Sequence, residues 1–155
     1  MTAQRQFRRS FGSLQEIFAF TSEYFVIHGV DPQLQPSVDL TLEELFTNMV
    51  KYSPTGDASV RIEMAVSDGG VEVTLTDYDV DRFDVTQAPD ADIGLPIEER
   101  RPGGLGLHLI RRMVDFLHYE YSDESRQSRI TFRKTAARSS VLGEATTKGG
   151  GDAGN

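Results

Sequence analysis

Glu44, Asn48 and Lys51 follow one another at spacings of four and three residues. On a helix this spacing sends all three to nearly one side, so that a carboxylate, an amide and an ammonium share a face. The same spacing suits the solvated outer side of an amphipathic helix, and the trio alone leaves both readings open. Gly103-Gly104-Leu105-Gly106 stands where an aperiodic stretch gives way to a helical pattern. Glycines there permit close backbone approach, and the free N–H groups and dipole of a helix start favour an anion such as phosphate. A glycine-rich turn without a ligand is the alternative. The motif does not directly follow a strand, which argues against a Rossmann or P-loop arrangement.

Asp77 is the third candidate. Val71, Val73 and Leu75 alternate toward a core, and Asp77 continues their phase to the end of the strand, where an unpaired carboxylate is costly to bury. It needs a donor, for which an adenine amino group and a backbone turn are both candidates. Asp77, Asp79 and Asp81 also imitate the opening of a calcium loop, but Arg82 stands where that loop needs glycine and Ala88 where it needs a bidentate glutamate. An acidic metal-binding protein using Asp79, Asp81 and Asp84 would leave the helix and glycine motifs without a role.

The elements that must position these residues are legible as periodicities. Residues 5 to 11 suggest a short strand, and Leu14, Ile17, Phe18 and Phe25 predict a helix over 13–28 that ends at His28-Gly29. Asp31-Pro32 and Pro36 predict a loop. Val38, Leu42, Leu45 and Met49 then predict a second helix that stops at Ser53-Pro54. The period falls to two over residues 60–66 and 71–75, with Asp68-Gly69-Gly70 between them, which predicts a hairpin. From Tyr78 to Pro102 periodicity vanishes and acids accumulate; a loop of that length in a compact domain is usually functional. Leu107, Ile110, Val114 and Leu117 predict the stripe of a third helix, and strands are expected around 119–121 and 129–134. From Thr135 onward the chain has almost no bulky side chain and is expected to be a disordered tail. Neighbouring strands in sequence predict an α+β fold, a mixed or antiparallel sheet with helices packed on one face.

Composition narrows the function classes. A chain of 155 residues, 38% hydrophobic and 26% charged, suits one globular domain. It has no cysteine, which excludes disulfides, thiolate nucleophiles and cysteine-bound metals. A net charge of -8 disfavours nucleic acid as a partner. No apolar run approaches a membrane span and the N-terminus does not read as a signal peptide, so a cytoplasmic location is expected.

Taken in order, Glu44-x-x-x-Asn48 on a helix, Asp77 ending a strand, a long loop and Gly-Gly-Leu-Gly opening a helix resemble the GHKL (histidine-kinase-like) ATP-binding fold, also called Bergerat-type. Within it the chain looks like the bacterial anti-sigma-factor serine kinases, on the strength of Glu-Glu-Leu-Phe-Thr-Asn-Met-Val-Lys-Tyr (43–52) and Arg-Arg-Pro-Gly-Gly-Leu-Gly-Leu-His-Leu-Ile-Arg-Arg-Met-Val-Asp (100–115). The resemblance implies an ATP-binding domain over residues 1–134, with 135–155 outside it. It implies ATP and Mg²⁺ as cofactors, Asn48 as the metal ligand and Glu44 as the catalytic base. Gly103, Gly104 and Gly106 would cradle the phosphates, Leu105, Leu107 and Lys51 would belong to the same cofactor-binding set, Arg101 (or Arg100) would reach phosphate oxygens, and 89–102 would be the nucleotide lid. Asp77 would accept from adenine. The family pattern has Asp-x-Gly there, whereas this chain reads Asp77-Tyr78-Asp79, which puts a carboxylate against the base. The implied activity is a serine/threonine kinase of a partner-switching system. Its implied partners are a STAS-domain anti-anti-sigma-type protein, a sigma factor or other regulator, and a second copy in a homodimer. The alternative within the same fold is a non-catalytic binding module that has lost productive ATP binding.

Overall fold

The computed structural model describes residues 1–52, 59–78, 80–82 and 104–136. Five strands, β1 (Thr2–Arg8), β2 (Ser59–Ser67), β3 (Gly70–Asp77), β4 (Phe116–Ser122) and β5 (Gln127–Thr135), form one sheet in the order β1-β2-β3-β5-β4. Every pairing among them is antiparallel. Among the described residues three α-helices, α1 (Leu14–His28), α2 (Gln35–Tyr52) and α3 (Gly104–Met113), accompany the sheet. This is the expected α+β architecture.

The sheet is two-sided in sequence and therefore in space. Val60, Ile62 and Met64 on β2, Val71, Val73 and Leu75 on β3, and Ile130 and Phe132 on β5 are buried on one face. Their partners in the core are Ile17, Phe20, Tyr24 and Phe25 of α1, Val38, Leu42, Leu45, Phe46 and Met49 of α2, and Ile110 of α3. The opposite face carries Arg61, Glu72, Thr74, Thr131 and Arg133, linked by cross-strand polar contacts such as Arg133 Nε to Glu72 at 2.6 Å and Thr74 to Thr131 at 3.2 Å. One face of each strand thus buries against helices, as the period of two requires.

Several boundaries differ from the sequence expectation. The first strand occupies Thr2–Arg8 rather than 5–11, because Ser10 accepts from the Gly12 N–H and starts a 3-10 turn at Phe11–Ser13. That turn leads into α1, which closes at Gly29 with φ 64°, a left-handed cap that glycine adopts freely. Phe18 is only partly buried, and Phe20 and Tyr24 take the core positions. Asp31, Pro32 and Pro36 do not keep the chain in a loop: Asp31 caps a 3-10 turn at Pro32–Leu34, and α2 begins at Gln35. A proline in the first turn costs no helical hydrogen bond, so Pro36 is compatible with a helix start. The hairpin turn is shorter than expected. Gly69 takes φ 75°, while Gly70 already belongs to β3 opposite Thr135. A Cβ at Gly70 would overlap the Lys134 carbonyl and the Thr135 backbone.

The third helix ends at Met113, so Leu117 packs from β4 rather than from a helical stripe. Asp115 makes the break: its carboxylate accepts from the Thr135 N–H at 2.7 Å and from the Thr135 hydroxyl at 2.9 Å. Thr135 therefore ends β5 instead of starting a tail, and the Ala136 N–H donates to Gly69. The rest of the expected tail lies outside the described residues. Among those residues no helix is long and apolar enough to cross a membrane.

Candidate functional site

The buried stripe of α2 fixes what its flank can do. With Leu42, Leu45, Phe46 and Met49 turned into the core, Asn48 is drawn in beside them and is only 3% exposed. Glu44, one turn earlier, is half-buried, and Lys51 is exposed. The reading of the trio as a solvated face therefore holds for Lys51 alone. Asn48 Nδ2 makes a long contact of 3.5 Å with Glu44 Oε1, and Asn48 Oδ1 is buried with no hydrogen-bond partner among the described residues. A buried amide oxygen without a donor is a costly arrangement unless something fills its place. A hard cation or a bound water with free coordination has the chemistry to do so.

The glycine motif meets this flank directly. Gly104 opens α3, and a Cβ placed on Gly106 would overlap Glu44 Cδ and both of its carboxylate oxygens. Gly106 is thus the position at which the first turn of α3 lies against the Glu44 carboxylate. That packing brings the acid to the positive end of a helix dipole and explains the glycine sterically. Burial pushes the Glu44 carboxyl above the usual carboxylate range; the charge of Lys51 and the Asn48 amide pull it back in part, and the neighbouring Glu43 adds to the rise. Two motifs far apart in sequence converge at one place.

Asp77 ends β3 in the inward phase, as expected, and is 2% exposed. Its partner was not foreseen. Arg9, just beyond β1 and itself buried, grips the carboxylate with both terminal nitrogens: Nη1 donates to Oδ2 at 2.9 Å and Nη2 to Oδ1. Nη1 also donates to the Met49 carbonyl at 3.1 Å, one of the last four carbonyls of α2, which have no partner within the helix. The Tyr78 N–H adds a fourth contact, to Asp77 Oδ1 at 3.1 Å. Burial pushes the Asp77 carboxyl up, and the hydrogen bonds and charge of Arg9, with the Tyr78 N–H, oppose that rise. The signal for Arg9 was present in the sequence, since Phe7 and Arg9 alternate in one phase and an inward arginine needs a carboxylate as much as an inward aspartate needs a donor.

The segment after Asp77 is fastened to the β4–β5 hairpin. The Val80 N–H donates to the Arg126 carbonyl at 3.0 Å, and the Tyr121 hydroxyl donates to the Val80 carbonyl at 2.7 Å. Arg126 holds φ 50°, and its guanidinium pairs with Asp81 at 2.9 Å. Asp79, Asp84, Arg100, Arg101, Gly103 and the expected lid over 89–102 lie outside the described residues, as do the side chains of Leu105 and Leu107. Among the described residues no group of three or more histidines or acids is placed to hold a metal.

A five-stranded antiparallel sheet, helices on one face, and a glutamate of one helix, with an asparagine one turn on, packed against the glycine start of another define a GHKL-type fold. The chain belongs to the histidine kinase-like ATPase domain family, whose pattern matches residues 7–134. Among solved structures, a chain of the SiaB-SiaC complex from Pseudomonas aeruginosa is similar, with a TM-score of 0.52 and 15% identity over 85% of this chain and 88% of that one. No curated protein matches the sequence.

Proposed function

We propose that this protein is an ATP- and Mg²⁺-dependent serine/threonine kinase of a cytoplasmic partner-switching system. In this reading it phosphorylates a STAS-type antagonist protein and sequesters a further regulator such as a sigma factor. The observation that carries the proposal is the packing of Glu44 against Gly106 at the start of α3, with Asn48 Oδ1, unpartnered among the described residues, one turn further along α2. Origin of the similar solved chain in a two-protein complex supports a protein partner.

Asn48 Oδ1 would ligate Mg²⁺, which supplies charge neutralisation at the phosphates. Gly104 and Gly106 would let backbone N–H groups at the start of α3 approach the phosphate oxygens, with Gly103, Leu105, Leu107, Lys51 and Arg101 around them. Glu44 would accept the hydroxyl proton of the substrate serine or threonine. That oxygen then bonds to the γ-phosphorus as the β–γ bridging bond breaks and ADP leaves. A carboxyl raised by burial is a better proton acceptor than an ordinary glutamate, which suits this role.

The test is phosphoryl transfer to a STAS-domain protein recovered with the native chain, followed by mass spectrometry. Transfer that requires Mg²⁺ and disappears in Glu44→Gln supports the proposal; transfer at equal rate in Glu44→Gln removes Glu44 as the base. A second reading, a binding module without turnover, is favoured by one observation, the occupation of Asp77 by Arg9. Partner binding with no transfer at saturating ATP would establish it.

A further inference from the structure

In the nucleotide reading, Asp77 is the group that would recognise the base, by accepting from the amino group of adenine. Its surroundings leave little for a base to use. Both carboxylate oxygens are taken by the two terminal nitrogens of Arg9, Oδ1 also accepts from the Tyr78 N–H, and the side chains of Arg9 and Asp77 are 1% and 2% exposed. The fork is held from a third side by the Met49 carbonyl at 3.1 Å. A guanidinium presents two parallel N–H donors to a carboxylate where an adenine edge offers one amino donor beside a ring-nitrogen acceptor, and it adds a full charge without loss of translational freedom. An adenine amino group therefore competes with an intramolecular, charge-assisted donor that is already in place.

We infer that Arg9 fills, from within the chain, the place of the nucleobase donor at Asp77, so that the site selects the triphosphate and not the base. The inference rests on the nucleotide reading proposed above and sharpens its substrate class: a nucleoside triphosphate with either a 6-amino or a 6-oxo purine. Arg9 is in this sense a specificity-determining residue. It also ties the end of β1 to the ends of α2 and β3, so a loss of stability on replacing it would say nothing about base selection. Selectivity between two bases does, because it is a ratio measured on one protein.

The experiment is calorimetric titration of the full chain, with Mg²⁺, using ATP, inosine triphosphate and tripolyphosphate. The expected result is that ATP and inosine triphosphate bind within about threefold of each other, since neither base makes a charge-assisted hydrogen bond. In Arg9→Met, which keeps an apolar stem and frees the carboxylate, the ratio should move toward ATP by about tenfold or more. A parent chain that already prefers ATP by more than about tenfold overturns the inference and leaves the proposed kinase intact. So does a folded Arg9→Met protein with an unchanged ratio. Should Arg9→Met fail to fold, the parent's ratio alone decides. If neither triphosphate nor tripolyphosphate binds the parent, the nucleotide reading falls and this inference falls with it.

Discussion

Glu44 and Asp77 are both carboxylates that burial pushes up, yet they are satisfied in opposite ways. Asp77 has an internal cation on both oxygens and a backbone donor besides. Among the described residues Glu44 has one long amide contact, the distant charge of Lys51, and a neighbouring helix start that only glycine can bring so close. The first carboxylate is neutralised as part of the frame; the second has unused hydrogen-bonding capacity among the described residues. Burial of an acid therefore does not identify a working group. What its lone pairs already accept from does.

The largest effect should fall on the open carboxylate. Glu44→Gln should lower phosphoryl transfer to the partner by a factor of about 100 to 10,000 while ATP affinity stays within about threefold, as for a base acting in the transition state. Single-turnover transfer with purified partner measures both, and a smaller loss would mean that the contrast with Asp77 has no catalytic content. At the closed carboxylate the expected effect is on stability. Asp77→Ala leaves the Arg9 charge buried and unpaired and should cost about 3–5 kcal/mol in urea unfolding. The double replacement Arg9→Met with Asp77→Leu should recover most of that, because a buried pair exchanged for apolar groups is near neutral. A single variant as stable as the parent would show that Asp77 is not quenched by Arg9.

Gly106→Ala probes the boundary between helix and carboxylate. The added methyl displaces the end of the Glu44 side chain, which is flexible, and alanine favours the helix by about 1 kcal/mol, so stability should change by less than about that amount. Transfer should nevertheless fall by about 100-fold, the usual consequence of misplacing a catalytic group by an ångström. Asn48→Ala should weaken ATP binding by about tenfold when Mg²⁺ is present and hardly at all when it is chelated. Equal losses in both conditions would place Asn48 outside the metal's coordination.

The smallest effect is a dependence on pH. The folded-state value of Glu44 lies above its unfolded one, so its contribution to stability is fully present below the unfolded value of about 4.3 and is lost as pH rises through the folded value. Glu44→Gln removes this loss. Its melting temperature should therefore exceed the parent's at pH 7, and the gap should close on acidification toward pH 4. A gap that widens in acid would mean that Glu44 is stabilised as the anion, like a paired carboxylate.

The sheet was legible in the sequence because its signal is local. Val60, Ile62, Met64, Val71, Val73 and Leu75 announce both the strands and the face they bury. The helix stripe at Val38, Leu42, Leu45 and Met49 was equally plain, and it carried Glu44 and Asn48 to their places. The boundaries set by side-chain caps were not. Ser10, Asp31 and Asp115 redirect the chain through one or two side-chain hydrogen bonds each, which no periodicity records. Arg9 escaped for a different reason: its role depends on Asp77, 68 residues away in sequence and joined to it only by the sheet and the end of α2. Patterning reveals that a charge points inward. It does not reveal which of the distant opposite charges it will meet.

Gly70 shows how misleading intolerance to substitution can be. Nothing about it is chemical, yet any side chain there would collide with the backbone at the end of β5, where neither partner can swing aside. In a saturation screen scored on cell phenotype, Gly70 should therefore stand beside Glu44 and Gly106 as a forbidden position. Scoring the same library for protein abundance would separate them: Gly70 variants vanish from the cell, whereas Glu44 variants accumulate as full-length, inert protein.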